Sequence, residues 1–176
     1  MSAPPASASE MREDGIHTES WFKNMSFLDL REDLAEAKEA GKGLVLLFEQ
    51  PGCGSCKRLH EETLQDKGVI DYLSTNYDII VLNMFGSKEV TDFDGEMLTE
   101  ADFAEKHMTH FSPTTLFIGD DGKVVFTVPG FKNAYFYQSA FEFVADRGPQ
   151  QDIMFPRWLR AKRDRLAAEQ QASTAK

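Results

Sequence analysis

Residues 44–64 read LVLLFEQPGCGSCKRLHEETL, and this stretch decides the fold. It begins with an apolar run of the length of a buried strand and ends with the spacing of a helix. Between the two lie Cys53 and Cys56, the only two cysteines in 176 residues. We therefore predict a strand that turns tightly into a helix, with a Cys-x-x-Cys pair at the start of that helix.

The position of this pair favours redox chemistry. At a helix N-terminus, unpaired N–H groups and the helix dipole stabilise a thiolate over a thiol, so Cys53 is the expected nucleophile. Cys56 follows about one helical turn later and is placed to attack a mixed disulfide held on Cys53. Glu49, four residues before Cys53, is a candidate proton acceptor for Cys56. No cofactor beyond the redox-active Cys53–Cys56 disulfide is expected.

Metal binding is the main alternative use of the pair. A structural zinc site needs four ligands, and with His60 the set is one ligand short. The segment His107-Met108-Thr109-His110 could add soft ligands for copper or zinc, which would make the protein a metal-binding or delivery protein. Histidines at a helix end more often contact the last carbonyls, so we predict no metal site. The alternating acids of residues 92–96 lack a complete calcium-loop pattern and indicate a solvated turn.

Composition excludes some other classes of function. The formal net charge of −10 argues against a nucleic-acid groove and against a general affinity for anionic membranes. No apolar stretch approaches the roughly 18 residues that a spanning helix needs. At 176 residues, the chain has the length of one domain with extensions.

The remaining sequence predicts an alternation of helices and strands. Residues 1–20 are predicted to be disordered, residues 21–150 to form the domain, and residues 151–176 to form a helical extension and tail. In that extension, Trp158, Leu159 and Leu166 are expected to dock, with Arg160, Lys162 and Arg163 in water. The predicted elements are helices at 27–40, 54–65, 69–74, 99–107, 134–147 and 155–169, strands at 43–49, 79–82, 114–118 and 124–128, and an inserted loop at 84–98.

This order of elements resembles the thioredoxin fold over about residues 27–147. Ser112-Pro113-Thr114 lies directly before the third predicted strand, at the position of that family's cis-proline. The resemblance implies an α/β fold with a mixed central sheet of four to five strands flanked by helices, plus the added C-terminal helix. It also places Ser112, Pro113 and Thr114 beside the dithiol, where they would bind substrate together with Gly52, Gly54 and Ser55. A plain turn proline is the alternative for Pro113.

Further features resemble the SoxW-type bacterial periplasmic thioredoxins. They are the Phe48-to-Cys53 stretch, the insertion at 89–95 and the Phe143-to-Arg147 helix followed by a helical terminus. The resemblance implies reduction of protein disulfides in the periplasm by a monomer. It further implies a membrane thiol reductant of the CcdA/DsbD kind as electron donor. A non-catalytic interaction module of the same fold is a further alternative.

Two positions depart from thioredoxin proper. That family has Trp-Cys-Gly-Pro-Cys, and it has a buried Asp six residues before the first Cys. Here Gly52 replaces the Trp and Leu47 stands in the place of the Asp. The resemblance therefore does not extend to a general cytosolic thioredoxin.

Overall fold

The computed structural model describes residues 9–175. Its strands are Glu10–Met11 (β1), His17–Thr18 (β2), Gly43–Glu49 (β3), Tyr77–Asn83 (β4), Glu89–Thr91 (β5), Met97–Thr99 (β6), Thr114–Ile118 (β7) and Val124–Pro129 (β8). Strands β4-β3-β7-β8, in that order, form a mixed central sheet in which only the β3–β4 pair is parallel. The pairs β1–β2 and β5–β6 form two separate antiparallel hairpins.

Helices cover both faces of the central sheet. They are Leu30–Glu39 (α1), Gly54–Arg58 (α2), which continues as a π-helical turn at Leu59–Thr63, Lys67–Asn76 (α3), Glu100–Lys106 (α4), Ala134–Ala145 (α5) and Phe155–Thr174 (α6). A short 3-10 turn at Pro149–Gln151 precedes α6. This architecture confirms the predicted fold class.

Strand β3 lies at the centre and is apolar on both sides because both of its faces are covered. Successive side chains of a strand point to opposite faces, so β3 feeds two cores. Val45 and Leu47 pack with residues of the π-helical turn, α3 and α5. Leu44, Leu46 and Phe48 pack on the other face with residues of α1 and α4. At the carboxyl end of β3, the chain turns directly into the cysteine pair.

The N-terminal segment differs from the prediction. Residues 1–8 of the segment predicted to be disordered lie outside the described part of the chain, but residues 9–20 are ordered against the domain. Ile16 is fully buried in the core that contains Val45 and Leu47. The backbone of Lys23 donates to the carbonyl of Ile79 at 2.9 Å, and the Arg12 side chain donates to the carbonyl of Val81 at 3.0 Å. Residues 9–23 therefore cover the outer edge of β4.

Two other element boundaries also differ. The first helix begins at Leu30 rather than residue 27, because Asp29 caps it by accepting from the Arg31 N–H at 3.1 Å. Phe27, the first residue of the predicted helix, is 99% exposed. The segment predicted as a loop at 84–98 contains most of the β5–β6 hairpin.

The acids of that hairpin surround a lysine rather than standing alone in solvent. The Lys106 ammonium lies 2.6 Å from a carboxylate oxygen of Asp92 and 2.7 Å from oxygens of Asp94 and Glu96. We call these four residues the surface cluster. The hydrogen bond to Asp92, followed by those to Asp94 and Glu96, raises the pKa of Lys106 above its usual value.

The C-terminal helix packs on the domain, but two of its side chains are not where the sequence predicted them. Leu166 is 39% exposed, whereas Lys162 is only 9% exposed. The Lys162 ammonium donates to the Ser139 hydroxyl at 2.9 Å and lies 2.6 Å from a Glu142 carboxylate oxygen. Trp158 and Leu159 do pack against the core as expected. A cation on this helix is therefore part of its contact with α5.

Candidate active site

The two cysteines form a disulfide at the start of α2 and differ in exposure. Cys53 is the N-cap residue of the helix, and its sulfur accepts the Cys56 N–H at 3.1 Å. Cys53 is half-buried, whereas Cys56 is fully buried. A thiol from outside can therefore approach the Cys53 sulfur more readily than the Cys56 sulfur.

The backbone around Cys53 is open to solvent. Gly52, Gly54 and Ser55 are all exposed. Gly52 has a φ of +72°, a left-handed conformation that glycine adopts without strain and that side-chain-bearing residues rarely adopt. This turn lets the chain leave β3 and enter the helix with Cys53 at its tip.

The Pro113 loop meets the cysteine pair although 59 residues separate Ser112 from Cys53. The Ser112 hydroxyl donates to the Cys53 sulfur at 3.2 Å, and the Ser112–Pro113 peptide bond is cis. The Pro113 carbonyl accepts from the Gly130 N–H at 2.7 Å, and the Thr114 hydroxyl donates to the Phe111 carbonyl at 2.7 Å. These bonds fix the loop against the sheet, with Ser112 facing Cys53.

Glu49, at the end of the strand before the cysteine pair, belongs to a buried cluster whose other two members the sequence did not predict. Glu49 and His60 are fully buried, and Glu19 is 1% exposed. His60 Nε2 lies 2.7 Å from Glu49 Oε1, and His60 Nδ1 lies 2.7 Å from Glu19 Oε1. We call Glu19, His60 and Glu49 the buried triad. His60 could have been suspected, because it follows Cys56 by four residues on the same helical side. No local signal marked Glu19.

Charge within the buried triad favours the protonated imidazole. Burial alone would lower the pKa of His60, but the hydrogen bonds to Glu19 and Glu49 and the charges of both carboxylates raise it to about 9. The other ionisable neighbours are His17, whose ring stacks on His60 at 5.2 Å, and Tyr137, which interacts electrostatically with Glu49. Burial raises the pKa of Tyr137 above its usual value, so its hydroxyl stays protonated.

One oxygen of the buried triad has no partner. Glu49 Oε2 is buried and makes no hydrogen bond to any of residues 9–175. Glu19 differs, because its Oε2 accepts from the Gln65 amide at 3.2 Å. Burying an unpaired carboxylate oxygen is costly, so Glu49 Oε2 is the atom of the triad that is open to a further hydrogen-bond donor.

A family profile for the thioredoxin-like domain matches residues 30–145 of this chain. The chain belongs to the thioredoxin-like domain family. No curated protein matches the sequence.

Solved structures support the same fold. A thioredoxin-fold protein from Helicobacter pylori has a TM-score of 0.60 at 23% identity, with 69% of this chain and 81% of that chain covered. A putative disulphide-isomerase from Bacteroides thetaiotaomicron has a TM-score of 0.53 at 27% identity, with 66% and 87% covered. A thioredoxin from Thermus thermophilus has a TM-score of 0.55 at 18% identity, with 68% and 86% covered.

Lys57 and Arg58, the two cations after Cys56, form ion pairs with acidic residues one turn further along the helix. Lys57 lies 3.7 Å from Glu61, and the Arg58 guanidinium lies 2.9 Å from Glu62 and 4.1 Å from the centre of the Phe131 ring. Both side chains are exposed. Their pairing along the helix is the arrangement of solvated helix residues.

The segment at residues 107–110 does not form a metal site with the cysteines. His107 Nε2 lies 3.2 Å from Asp92 Oδ2, and His110 is exposed. Among residues 9–175, no three His, Cys, Asp or Glu side chains are arranged to hold a metal ion. The geometry therefore gives the metal-delivery alternative no support. Within the same residues, no helix is both long and apolar enough to cross a membrane.

Proposed function

We propose that this protein is a thiol-disulfide oxidoreductase that reduces protein disulfides through Cys53 and Cys56. The observation that supports this most directly is the pairing of a half-buried Cys53 with a fully buried Cys56, next to the Ser112 hydroxyl. An exposed nucleophile and a shielded resolving thiol are the two parts that stepwise disulfide exchange requires. The likeness to a putative disulphide-isomerase is consistent with this chemistry.

The reaction follows from the positions of these groups. In the reduced protein, the Cys53 thiolate attacks one sulfur of the substrate disulfide and expels the other sulfur, which takes a proton from solvent. The Cys56 thiol then gives its proton to Glu49, and its thiolate attacks the Cys53 sulfur. The Cys53–Cys56 disulfide forms and the second substrate sulfur leaves and is protonated. The dithiol has supplied two electrons, and the substrate has become two thiols.

The surroundings of Cys53 supply the substrate contacts. The Ser112 hydroxyl, which now donates to the Cys53 sulfur, would donate to the thiolate in the reduced protein and hold it in place. Gly52, Gly54 and Ser55 leave the backbone around Cys53 open. An extended substrate segment would lie across this backbone and across residues 112–114.

The finer assignment rests on the sequence resemblance. We propose that the protein acts as a SoxW-type thioredoxin in the bacterial periplasm, as a monomer. A membrane thiol reductant of the CcdA/DsbD kind would return two electrons to the disulfide. No other cofactor takes part, because both electrons pass through sulfur.

Insulin reduction by dithiothreitol tests the activity. The wild-type protein should accelerate precipitation of the insulin B chain, and Cys53→Ser should abolish the acceleration. Reduced Cys56→Ser, mixed with insulin after removal of dithiothreitol, should instead accumulate a mixed disulfide with the substrate, visible by mass spectrometry. Ala172→Ser, which introduces a serine at the exposed end of α6, is the matched control. Activity that survives in Cys53→Ser would overturn the proposal.

The direction needs a separate measurement. Equilibration with reduced and oxidised glutathione should leave the disulfide largely intact, as for a reducing thioredoxin. Complete reduction of Cys53–Cys56 by a small molar excess of reduced glutathione, which is converted to its disulfide, would identify an oxidant instead. Cell fractionation of the native host, with the Cys53–Cys56 redox state trapped by alkylation, tests the compartment.

A further inference from the structure

The N-terminal segment reaches the active site from outside the matched family region. The profile match begins at residue 30, yet several residues before it contact the site. The rings of His17 and Phe22 lie 5.2 and 5.9 Å from that of His60, and Glu19 bonds to the same histidine. The segment has thus brought a second carboxylate to a buried histidine that already holds Glu49.

The two hydrogen bonds of His60 have a consequence for its protons. Each ring nitrogen faces a carboxylate oxygen at 2.7 Å, and an ionised carboxylate only accepts hydrogen bonds. Both bonds are satisfied together when both nitrogens carry a proton. Glu19 therefore keeps a proton on Nδ1, which leaves Nε2–H directed to Glu49 Oε1.

The net charge of the buried triad determines whether it takes up a further proton. An imidazolium between two carboxylates has a net charge of −1, and burial penalises that charge. Uptake of one proton makes the triad neutral. Because Nε2–H occupies Glu49 Oε1, the partnerless Oε2 is the oxygen that remains for this proton.

We propose that Glu19 and His60 are positioning residues for the second half of disulfide exchange, in which they keep Glu49 ionised and leave its Oε2 free to accept the Cys56 proton. This inference rests on the proposed function, because it assigns the group that activates the resolving thiol. The Cys56 S–H bond breaks, its proton passes to Glu49 Oε2, and the thiolate forms the bond to Cys53 Sγ as the substrate sulfur leaves. When an external dithiol re-reduces the pair and supplies two electrons, the proton returns to the Cys56 sulfur.

Helical spacing supports this coupling. Cys56 and His60 are four residues apart and both fully buried, so their side chains lie on the same side of α2 and its π-helical continuation. Glu49 reaches His60 from the end of β3, on the sheet face that carries Val45 and Leu47. The triad thus joins the strand before the cysteine pair to the helix after it, and the N-terminal segment closes it from the third side.

The two half-reactions can be timed separately with the reduced full-length protein and the aromatic disulfide 5,5′-dithiobis(2-nitrobenzoate). Attack by Cys53 releases the first coloured thiolate, and attack by Cys56 on the resulting mixed disulfide releases the second. We expect Glu49→Gln to slow the second release on the order of 100-fold, as for loss of a general base. Glu19→Gln should slow the second release about tenfold and change its pH profile, with the first release changed less than about twofold.

Glu13→Gln is the matched control, since it makes the same charge change at an exposed position of the same segment. It should leave both releases and the pH profile unchanged. The amide introduced by Glu19→Gln retains the shape and an acceptor oxygen of the Glu19 side chain, and thermal melting shows which variants are folded at the assay temperature. An unchanged second release and pH profile in folded Glu19→Gln would overturn the proposal, as would equal slowing of both releases.

The same variants separate this inference from the proposed function. If wild type and Glu19→Gln both reduce insulin and release the second thiolate equally fast, the activity stands and the role of Glu19 and His60 is refuted. If wild type reacts normally with the aromatic disulfide but does not reduce insulin, the proposed function fails while the triad's role is still decided by the second release.

Discussion

The buried triad and the surface cluster contain the same kinds of charged group but differ in their exposure to water. In each, one cation lies between carboxylates: His60 between two in the triad, and Lys106 among three in the surface cluster. The His60 side chain is 0% exposed, whereas that of Lys106 is 32% exposed. Near the surface, water and salt screen the field of each charge, and Asp94 and Glu96, at 59% and 53% exposure, are solvated whether paired or not. In the interior, each charge depends on the others, so a proton gained or lost by one changes all three.

The comparison predicts its largest effect for His60→Leu. This change leaves two buried carboxylates without their cation, and it should lower the free energy of unfolding by about 3–5 kcal/mol. Chemical denaturation measures the loss. The triple variant Glu19→Met, His60→Leu, Glu49→Met removes all three charges together and should lose less than the single variant. A loss below about 1 kcal/mol in His60→Leu would mean that the triad is not a coupled buried unit.

Titration of His60 should also set the pH dependence of the free energy of unfolding. The pKa of His60 rises from 6.5 to about 9 on folding, so the folded state holds this proton more tightly than the unfolded state does. The stabilisation is fully present below pH 6.5 and is lost as the pH rises through about 9. We expect the free energy of unfolding to fall by up to about 3 kcal/mol over this range. The triple variant should lack this fall, and an equal fall in both proteins would contradict the assignment to His60.

Lys162 offers an intermediate case. Its side chain is 11% exposed and its partner Glu142 is 23% exposed, so Glu142 can be solvated once the cation is removed. Lys162→Met keeps most of the aliphatic stem against α5 and should cost about 1 kcal/mol in unfolding free energy. Arg163→Met, on the neighbouring exposed position, is the control and should change nothing measurable. A cost as large as that of His60→Leu would show that partial burial already couples the ions fully.

The smallest effect belongs to Lys106→Met. Its three carboxylates remain accessible to water or, like Asp92, keep His107 as a partner. The denaturation midpoint should not shift measurably, and added salt should erase any difference from wild type. A shift comparable to that of His60→Leu would remove the distinction between the two clusters.

The strands formed by continuous apolar runs were predictable from sequence. Strand β3 occupies the predicted residues 43–49 and β7 the predicted 114–118, because continuous apolar runs mark strands that are covered on both faces. The β5–β6 hairpin was missed because its strands have three residues each, too few to establish an alternation. Helix α3 is longer than predicted because its capping residue Asp66, which accepts from the Val69 N–H, lies ahead of the apolar pattern.

The site was only partly predictable for a different reason. Cys53, Cys56 and Glu49 lie within one strand–turn–helix unit, so their proximity follows from local geometry. The hydrogen bond between Glu19 and His60 spans 41 residues and joins a segment whose composition suggested disorder. Burial of Lys162 was missed because a charge pattern does not reveal that Ser139 and Glu142 lie opposite it.

The cover over strand β4 has a consequence for self-association. Sheets grow when another chain pairs with the free carbonyls of an edge strand, the route to strand-swapped dimers and fibrils. On β4, the carbonyls of Ile79 and Val81 already accept from Lys23 and Arg12. At the opposite edge of the sheet, β8 ends in Pro129, which has no N–H to donate to an added strand. The N-terminal segment that brings Glu19 into the interior therefore also protects the sheet from templated polymerisation.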